Sequence, residues 1–205
     1  MEKVEIGEGM SKIGCVIMAS GEGKRFGSNK LLARFQGKLF IQIVLDLTVD
    51  LFEKRVVVTR SREVLEICQE QKVPVIFHSL PHRNDTIRLG IEVMEDMDAC
   101  VFCPSDQPLL RKESLKALKE SFEQHKKGMH RLVFGEREGS PILFGKEYFG
   151  ELKNLPQKCG GSYVIKKHPK QVEKVAVLEE VELMDVDTSE ELEVLQEKGE
   201  NLCTL

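Results

Sequence analysis

The sequence predicts an α/β fold built on a mainly parallel mixed sheet, and three observations carry that prediction. Short apolar, β-branched runs alternate with segments of helical period, the order that a parallel sheet requires. A glycine-rich loop follows directly on the first of those runs. The stretch 130–144 breaks the alternation, with two apolar runs flanking a turn-rich centre, as in an antiparallel excursion.

The first strand is expected at Ile13-Gly14-Cys15-Val16-Ile17-Met18. Phe40, Ile43, Val44, Leu47 and Leu51 share one helical face, so a helix follows the glycine-rich loop. Val56-Val57-Val58 reads as the second strand, Val64, Leu65 and Cys68 as a helix, and Val73 to Phe77 as the third strand. Asn84-Asp85 can cap a helix carrying Ile87, Ile91 and Met94. A strand at Ala99–Cys103 precedes a helix with Leu115, Leu118 and Phe122. Leu132-Val133-Phe134 and Ile142-Leu143-Phe144 are the arms of the hairpin. Val181 to Val186 is strand-like, and Thr188-Ser189-Glu190-Glu191 matches a capping box that opens a final helix. Residues 12–205 are expected to form one domain, with residues 1–11 a flexible tail.

Composition excludes several classes. The formal net charge is −4, and the chain has two Tyr and no Trp. Stacking platforms for single-stranded nucleic acid need aromatics, and a broad polyphosphate surface needs basic excess, so phosphate binding must be local. No apolar run approaches the roughly 20 residues of a membrane helix, and the acidic N-terminus lacks a signal core. A cytoplasmic location is therefore expected, and the six cysteines read as thiols. Cys100-Val101-Phe102-Cys103 is a CxxC, but a zinc site needs about four ligands and no second pair stands at a usable spacing. Within a strand its two thiols point to opposite faces. His78 and His82 are four apart, but Pro81 argues against a shared helix, so their pairing is read as accidental.

The chemistry concentrates in Met18-Ala19-Ser20-Gly21-Glu22-Gly23-Lys24-Arg25-Phe26-Gly27-Ser28-Asn29-Lys30. Glycines at 21, 23 and 27 let the backbone approach a ligand, so that successive N–H groups can face an anion. Arg25 and Lys30 add positive charge where a triphosphate would lie. Phe26 stands where the dinucleotide fingerprint GxGxxG needs its third glycine, and GxxxxGK[ST] is absent. Pro104-Ser105-Asp106-Gln107-Pro108 puts a carboxylate at the end of a parallel strand, facing the crevice where such sheets bind ligands. Asp185 and Asp187 fall on one face of the strand expected at 181–186.

These segments resemble the signature elements of the molybdenum cofactor nucleotidyltransferases and their sugar-nucleotide relatives. The loop is similar to L-A-[AG]-G-x-G-x-R-x-G-x-x-K, residues 106–108 to D-x-P, and 185–192 to D-x-D-T-P-E-D-L. The resemblance implies a Rossmann-like three-layer domain of the nucleotide-diphospho-sugar transferase type. It places Ala19, Ser20 and Gly21 near the base, and Gly23, Arg25 and Lys30 on the phosphates. It makes Asp106 and Asp187 the ligands of Mg²⁺, which prefers few carboxylates plus phosphate oxygens and waters; Asp185 is a possible helper. Asp85 and Thr86 match the helix entry that contacts the base, a reading that stands beside ordinary N-capping. Gly139-Ser140-Pro141 through Phe144 looks like the acceptor-side strand G-x-P-x-x-F, whereas the next element, G-D-x-G-A-R, is replaced by Gln157-Lys158-Cys159-Gly160-Gly161-Ser162.

Ala19-Ser20 before Gly21 looks more like the cytidylyl branch (L-A-A-G) than the guanylyl branch (L-A-G-G). The resemblance therefore implies transfer of CMP from CTP to the terminal phosphate of a molybdopterin-type acceptor, with a molybdenum hydroxylase as a possible downstream partner and neither nucleic acid nor membrane involved. The alternatives are use of GTP, another small phosphorylated acceptor, or a non-catalytic carrier that hands the cofactor to the hydroxylase.

Overall fold

The structure is a computed structural model and describes residues 9–21, 26 and 29–202, with side chains as far as 196. Most of the expected tail, together with Gly23 and Arg25, lies outside the described residues. The chain opens with β1 (Ile13–Ala19), followed by the small antiparallel ribbon β2 (Arg34–Phe35) and β3 (Lys38–Leu39). Then come α1 (Phe40–Thr48), β4 (Lys54–Thr59), α2 (Arg62–Glu70), β5 (Val75–Phe77), α3 (Arg83–Glu92) and β6 (Ala99–Pro104). The second half runs α4 (Lys112–His125), β7 (Met129–Phe134), β8 (Arg137–Gly145), α5 (Phe149–Lys153), α6 (Ser162–Lys167), β9 (Val172–Ala176) and α7 (Ser189–Leu202).

Seven strands form the main sheet in the order β5-β4-β1-β6-β8-β7-β9. β5, β4, β1 and β6 are parallel neighbours, and β8 runs antiparallel to both β6 and β7. The hairpin expected across 130–144 is the device that inserts β8, which gives the mixed sheet its single reversal.

Helices cover both faces, because the central strands are apolar on both sides. On one face Cys15, Ile17, Val101 and Cys103 pack with Val44 and Leu45 of α1, Val64 and Cys68 of α2, and Leu118 and Phe122 of α4. On the other, Val16, Cys100 and Phe102 pack with Ile87 and Ile91 of α3, Leu152 of α5 and Val164 of α6. Each fully buried Val, Leu, Ile or Phe among them contributes about 1.5–3 kcal/mol. α3 comes so near β1 that a Cβ on Gly90 would sit 2.5 Å from Val16 Cγ1. A third, smaller cluster joins Phe35 and Phe40 to Val186 and Leu195 of α7.

The CxxC falls as expected: Cys100 and Cys103 point into opposite layers and both are buried. The capping box also forms. Thr188 Oγ1 accepts the Glu191 N–H at 3.2 Å, and Glu191 Oε2 accepts the Thr188 N–H at 3.0 Å.

One expectation needs correction, and one strand was not foreseen. Val181 to Val186 is not a strand: a 3-10 turn occupies Glu180–Leu183, and beyond it the chain is tied to the loop after β6 by the backbone bond Val186 N–H to Asp106 C=O, 2.9 Å. The buried Glu182 explains the turn, since its carboxylate is drawn inward to accept from Ser114 Oγ (2.5 Å) and the Arg111 N–H (3.3 Å). The last strand of the sheet is instead β9, parallel to β7 at the edge. The cap of α3 is met by Asp85 as expected, although the helix begins at Arg83, one residue before Asn84. Asp85 Oδ2 accepts the His82 N–H at 3.1 Å, while Asn84 Oδ1 accepts the N–H of Lys158 at 3.1 Å. Among the described residues no helix is long and apolar enough to cross a membrane.

Candidate active site

A cavity of about 260 Å³ opens at the carboxyl ends of the parallel strands, with walls that include Ser20, Gly21, Lys30, Arg60, Thr86 and Asp106. The topology dictates its contents. Ser20 follows β1, Arg60 follows β4, His78 follows β5, and Ser105 and Asp106 follow β6. Side chains at strand ends are delivered to one crevice because parallel strands finish on the same edge of the sheet.

Lys30 is the electrostatic centre. It belongs to a 3-10 turn, Lys30–Leu32, anchored by Asn29: the Asn29 Oδ1 accepts the Leu31 N–H, and its Nδ2 donates to Ser61 Oγ at 2.9 Å. With Leu31 buried beside it, the Lys30 side chain is only 8% exposed and its Nζ donates to Asp106 Oδ2 (2.5 Å) and Asp187 Oδ1 (2.8 Å). Burial works against the ammonium, but Asp106 and then Asp187 outweigh it, so the Lys30 pKa lies above its usual value.

The two carboxylates arrive from distant parts of the chain. Ser105 ties the loop after β6 to β1 by donating from Oγ to Met18 C=O at 2.7 Å. The Val186–Asp106 backbone bond then brings the second acidic segment alongside. Asp187 is fixed from behind, its N–H donating to Glu191 Oε2 at 2.6 Å. Asp185 lines the same cavity and accepts from Gln107 Nε2 at 2.9 Å. Burial raises the Asp185 pKa and nearby Asp106 adds to the rise, with Gln107 and Lys30 offsetting part of it. Asp106 and Asp187 on one lysine leave negative charge in surplus, and two carboxylates suit a hard divalent cation that takes its other ligands from phosphates and water, although among the described residues no three acids are grouped as a ready-made metal cluster. The residues present therefore fit such an ion.

Another part of the cavity is polar and uncharged. Ser20 Oγ donates to Val58 C=O (2.9 Å) and lies 3.0 Å from His78 Nε2. Thr86 Oγ1 stands 3.5 Å from the same nitrogen. Burial, with Arg60 next, lowers the His78 pKa, so its ring is neutral at pH 7. The Arg60 guanidinium clamps the Ser20 carbonyl through Nε (2.9 Å) and Nη2 (2.7 Å).

Of the residues singled out in the sequence, the structure brings Ser20, Gly21, Lys30, Thr86, Asp106 and Asp185 into this cavity, with Asp187 joined through Lys30. Ala19 is buried at the end of β1, its carbonyl accepting from Thr59 Oγ1, and Asp85 caps α3. Gly23 and Arg25 lie outside the described residues. The turn around Cys159, which is half-buried, docks on the start of α3 next to Arg83, a residue of the cavity wall. His78 and Arg60 were not found from sequence, although both directly follow strand ends, and that position was the available signal.

Residues 15–172 match the MobA-like NTP transferase domain. The Asp185–Asp187 segment falls beyond that match. A protein of Bacillus cereus (strain Q1) named "Probable molybdenum cofactor guanylyltransferase" is 30% identical over 139 residues, covering 65% of this chain and 68% of that protein. One of the same name from Aquifex aeolicus (strain VF5) is 29% identical over 117 residues, 56% of this chain; the match spans only 57% of that relative's length. Among solved structures, Rv0371c from Mycobacterium tuberculosis H37Rv has the same fold, with a TM-score of 0.82 at 20% identity over 91% of this chain and 99% of that one. The same protein in complex with manganese superposes with a TM-score of 0.75, at the same identity and coverage.

Proposed function

Because the chain belongs to the MobA-like NTP transferase family, we propose that it transfers a nucleotidyl group, CMP from CTP, to the terminal phosphate of a molybdopterin-type acceptor and releases pyrophosphate. The observation that carries this reading is the convergence of Lys30, Asp106, Asp185 and Asp187 on the cavity that also holds Ser20 and Thr86. One cavity thus combines charged groups suited to phosphates with neutral hydrogen-bonding groups suited to a base.

Asp106 and Asp187 would hold a divalent ion, with Mg²⁺ the expected one and Asp185 beside them. When bound, that ion supplies charge neutralisation to the phosphates. Lys30 binds phosphate oxygens and offsets charge that builds on the leaving pyrophosphate, together with Arg25 and the amides of the loop that includes Gly23. A phosphate acceptor is already ionised at neutral pH, so positioning and charge account for the chemistry and no general base is needed. Ser20, Gly21 and Thr86 contact the nucleoside, and the turn at 157–162, beside Arg83, borders the acceptor. A molybdenum hydroxylase is the recipient that this product implies.

The names of the curated relatives favour GTP, whereas Ala19-Ser20-Gly21 resembles the cytidylyl branch. The test is pyrophosphate release with Mg²⁺ and molybdenum-loaded molybdopterin, offering CTP, GTP, ATP and UTP in turn. Release with CTP alone supports the reading, and release with GTP alone replaces cytidylyl by guanylyl transfer. Release with none of the four, while the nucleotide still binds, moves the protein to another acceptor or to a carrier role.

A further inference from the structure

The hydrogen-bond polarity of Ser20 is fixed by its surroundings, and that polarity has a consequence for the base. His78 Nδ1 lies 3.2 Å from the Leu80 N–H, which donates to it. A neutral ring that accepts at Nδ1 carries its proton on Nε2. The lowered pKa of His78, caused first by burial, agrees with that neutral form. His78 Nε2–H therefore donates to Ser20 Oγ, 3.0 Å away. The Ser20 hydroxyl proton is already given to Val58 C=O at 2.9 Å, a group that can only accept. A hydroxyl has one donor and two acceptor sites. With the proton committed to Val58 and one lone pair committed to His78, the hydroxyl of Ser20, a residue of the cavity wall, has a single lone pair left.

We infer that Ser20 is a base-selecting residue that accepts from an amino-bearing base and disfavours uracil, and that His78 is the positioning residue that holds it in that state. The inference rests on the proposed reading of this cavity as a nucleotide site and adds the means of selection. The exocyclic amino group of cytosine donates to the remaining lone pair. Uracil presents a carbonyl oxygen at the same ring position, and two acceptors would then face each other. For Ser20 to donate instead, its proton must leave Val58 C=O, stranding an acceptor. Swinging the proton toward His78 is blocked by the Nε2–H already there.

The experiment measures dissociation constants for CTP and UTP, with Mg²⁺, on the whole protein by calorimetry. The wild type should prefer CTP by roughly 5- to 150-fold, the range for leaving one buried polar group unpaired. Ser20→Ala should bring the two affinities to within a few-fold, chiefly by weakening CTP. His78→Phe should erode the preference in part, and His78→Gln, whose amide can still donate, should restore it. An unchanged CTP-to-UTP ratio in Ser20→Ala overturns the inference for Ser20. An unchanged ratio in His78→Phe, or a loss in His78→Gln equal to that in His78→Phe, overturns the role of His78. A wild type that binds no nucleoside triphosphate at all sinks the underlying reading, whereas binding with no preference for CTP over UTP sinks the selection alone.

Discussion

Lys30→Met tests whether the ammonium is what holds the acidic cluster together. Methionine keeps most of the length and apolar stem but removes the charge. The substitution deletes contacts of 2.5 Å to Asp106 and 2.8 Å to Asp187, and it removes the ammonium that joins those two carboxylates. Breaking a buried pair by removing one partner costs about 3–5 kcal/mol, whereas an exposed pair is worth about 0–1. The Asp106 side chain is 22% exposed and Asp187 39%, so the second contact counts for little and the first for most. A loss of about 2–3 kcal/mol follows, less than the full buried value because the mutation also removes the desolvation cost of the ammonium. For a chain of this size that is a fall in Tm of about 4–12 °C. The assay is thermal unfolding in EDTA, repeated with Mg²⁺ or Mn²⁺. The ion should recover much of the loss in the variant and raise its Tm more than that of the wild type, whose Lys30 competes for the same oxygens. Equal melting temperatures in EDTA, or an equal rise on adding the ion, would refute the reasoning.

Asp106→Asn should abolish pyrophosphate release while leaving the circular dichroism spectrum and cooperative unfolding intact; retained turnover would remove Asp106 from the proposed chemistry. Gly90→Ala should destabilise by about 1–3 kcal/mol, despite the better helix propensity of alanine, because the new Cβ meets Val16. Combining it with Val16→Ala should recover part of that loss in a denaturant titration. His130 is fully buried, accepting from Ser121 Oγ at Nδ1 (2.7 Å) and donating from Nε2 to Lys127 C=O (3.1 Å). Burial first, with His125 adding, lowers its pKa despite the Lys127 hydrogen bond. Its contribution is complete above the unfolded value near 6.5 and is lost as pH falls through that value toward the folded one. The urea midpoint should therefore drop between about pH 7 and pH 5, and His130→Gln should flatten that slope.

Much of the fold was legible because it rests on periodicity. The apolar runs at 13–18, 56–58 and 99–103 are buried on both faces, and such strands announce themselves. The reversal at 130–144 was legible from its turn-rich centre. β9 was not, because Glu173 and Lys174 sit on an exposed edge where no alternation is imposed. The strand expected at 181–186 failed for the opposite reason: Val181, Leu183 and Val186 look like a strand, but Glu182 is pulled inward by Ser114, which lies 68 residues away. At the site, the loop, Asp106 and Asp187 were visible as motifs. That Lys30 would join the two acids was not, since the contact to Asp187 spans 157 residues. His78 was set aside by being paired with the wrong partner. Its relevant neighbour is Ser20, 58 residues away, and only the order of strands puts the two together.

The division of the core between two helical layers has a practical side. Cys68 sits on the inner side of α2 on one face of the sheet and Cys100 packs in the layer of α3 on the other, and neither has any solvent exposure. Burial pushes the Cys68 thiol up to about 11 and raises Cys100 as well, so neither reacts in place. Each thiol can be alkylated only when its own layer lifts from the strands. The chain thus carries two native reporters of partial opening, and their labelling rates, followed separately by peptide mass spectrometry, would time the loosening of each side without any added probe.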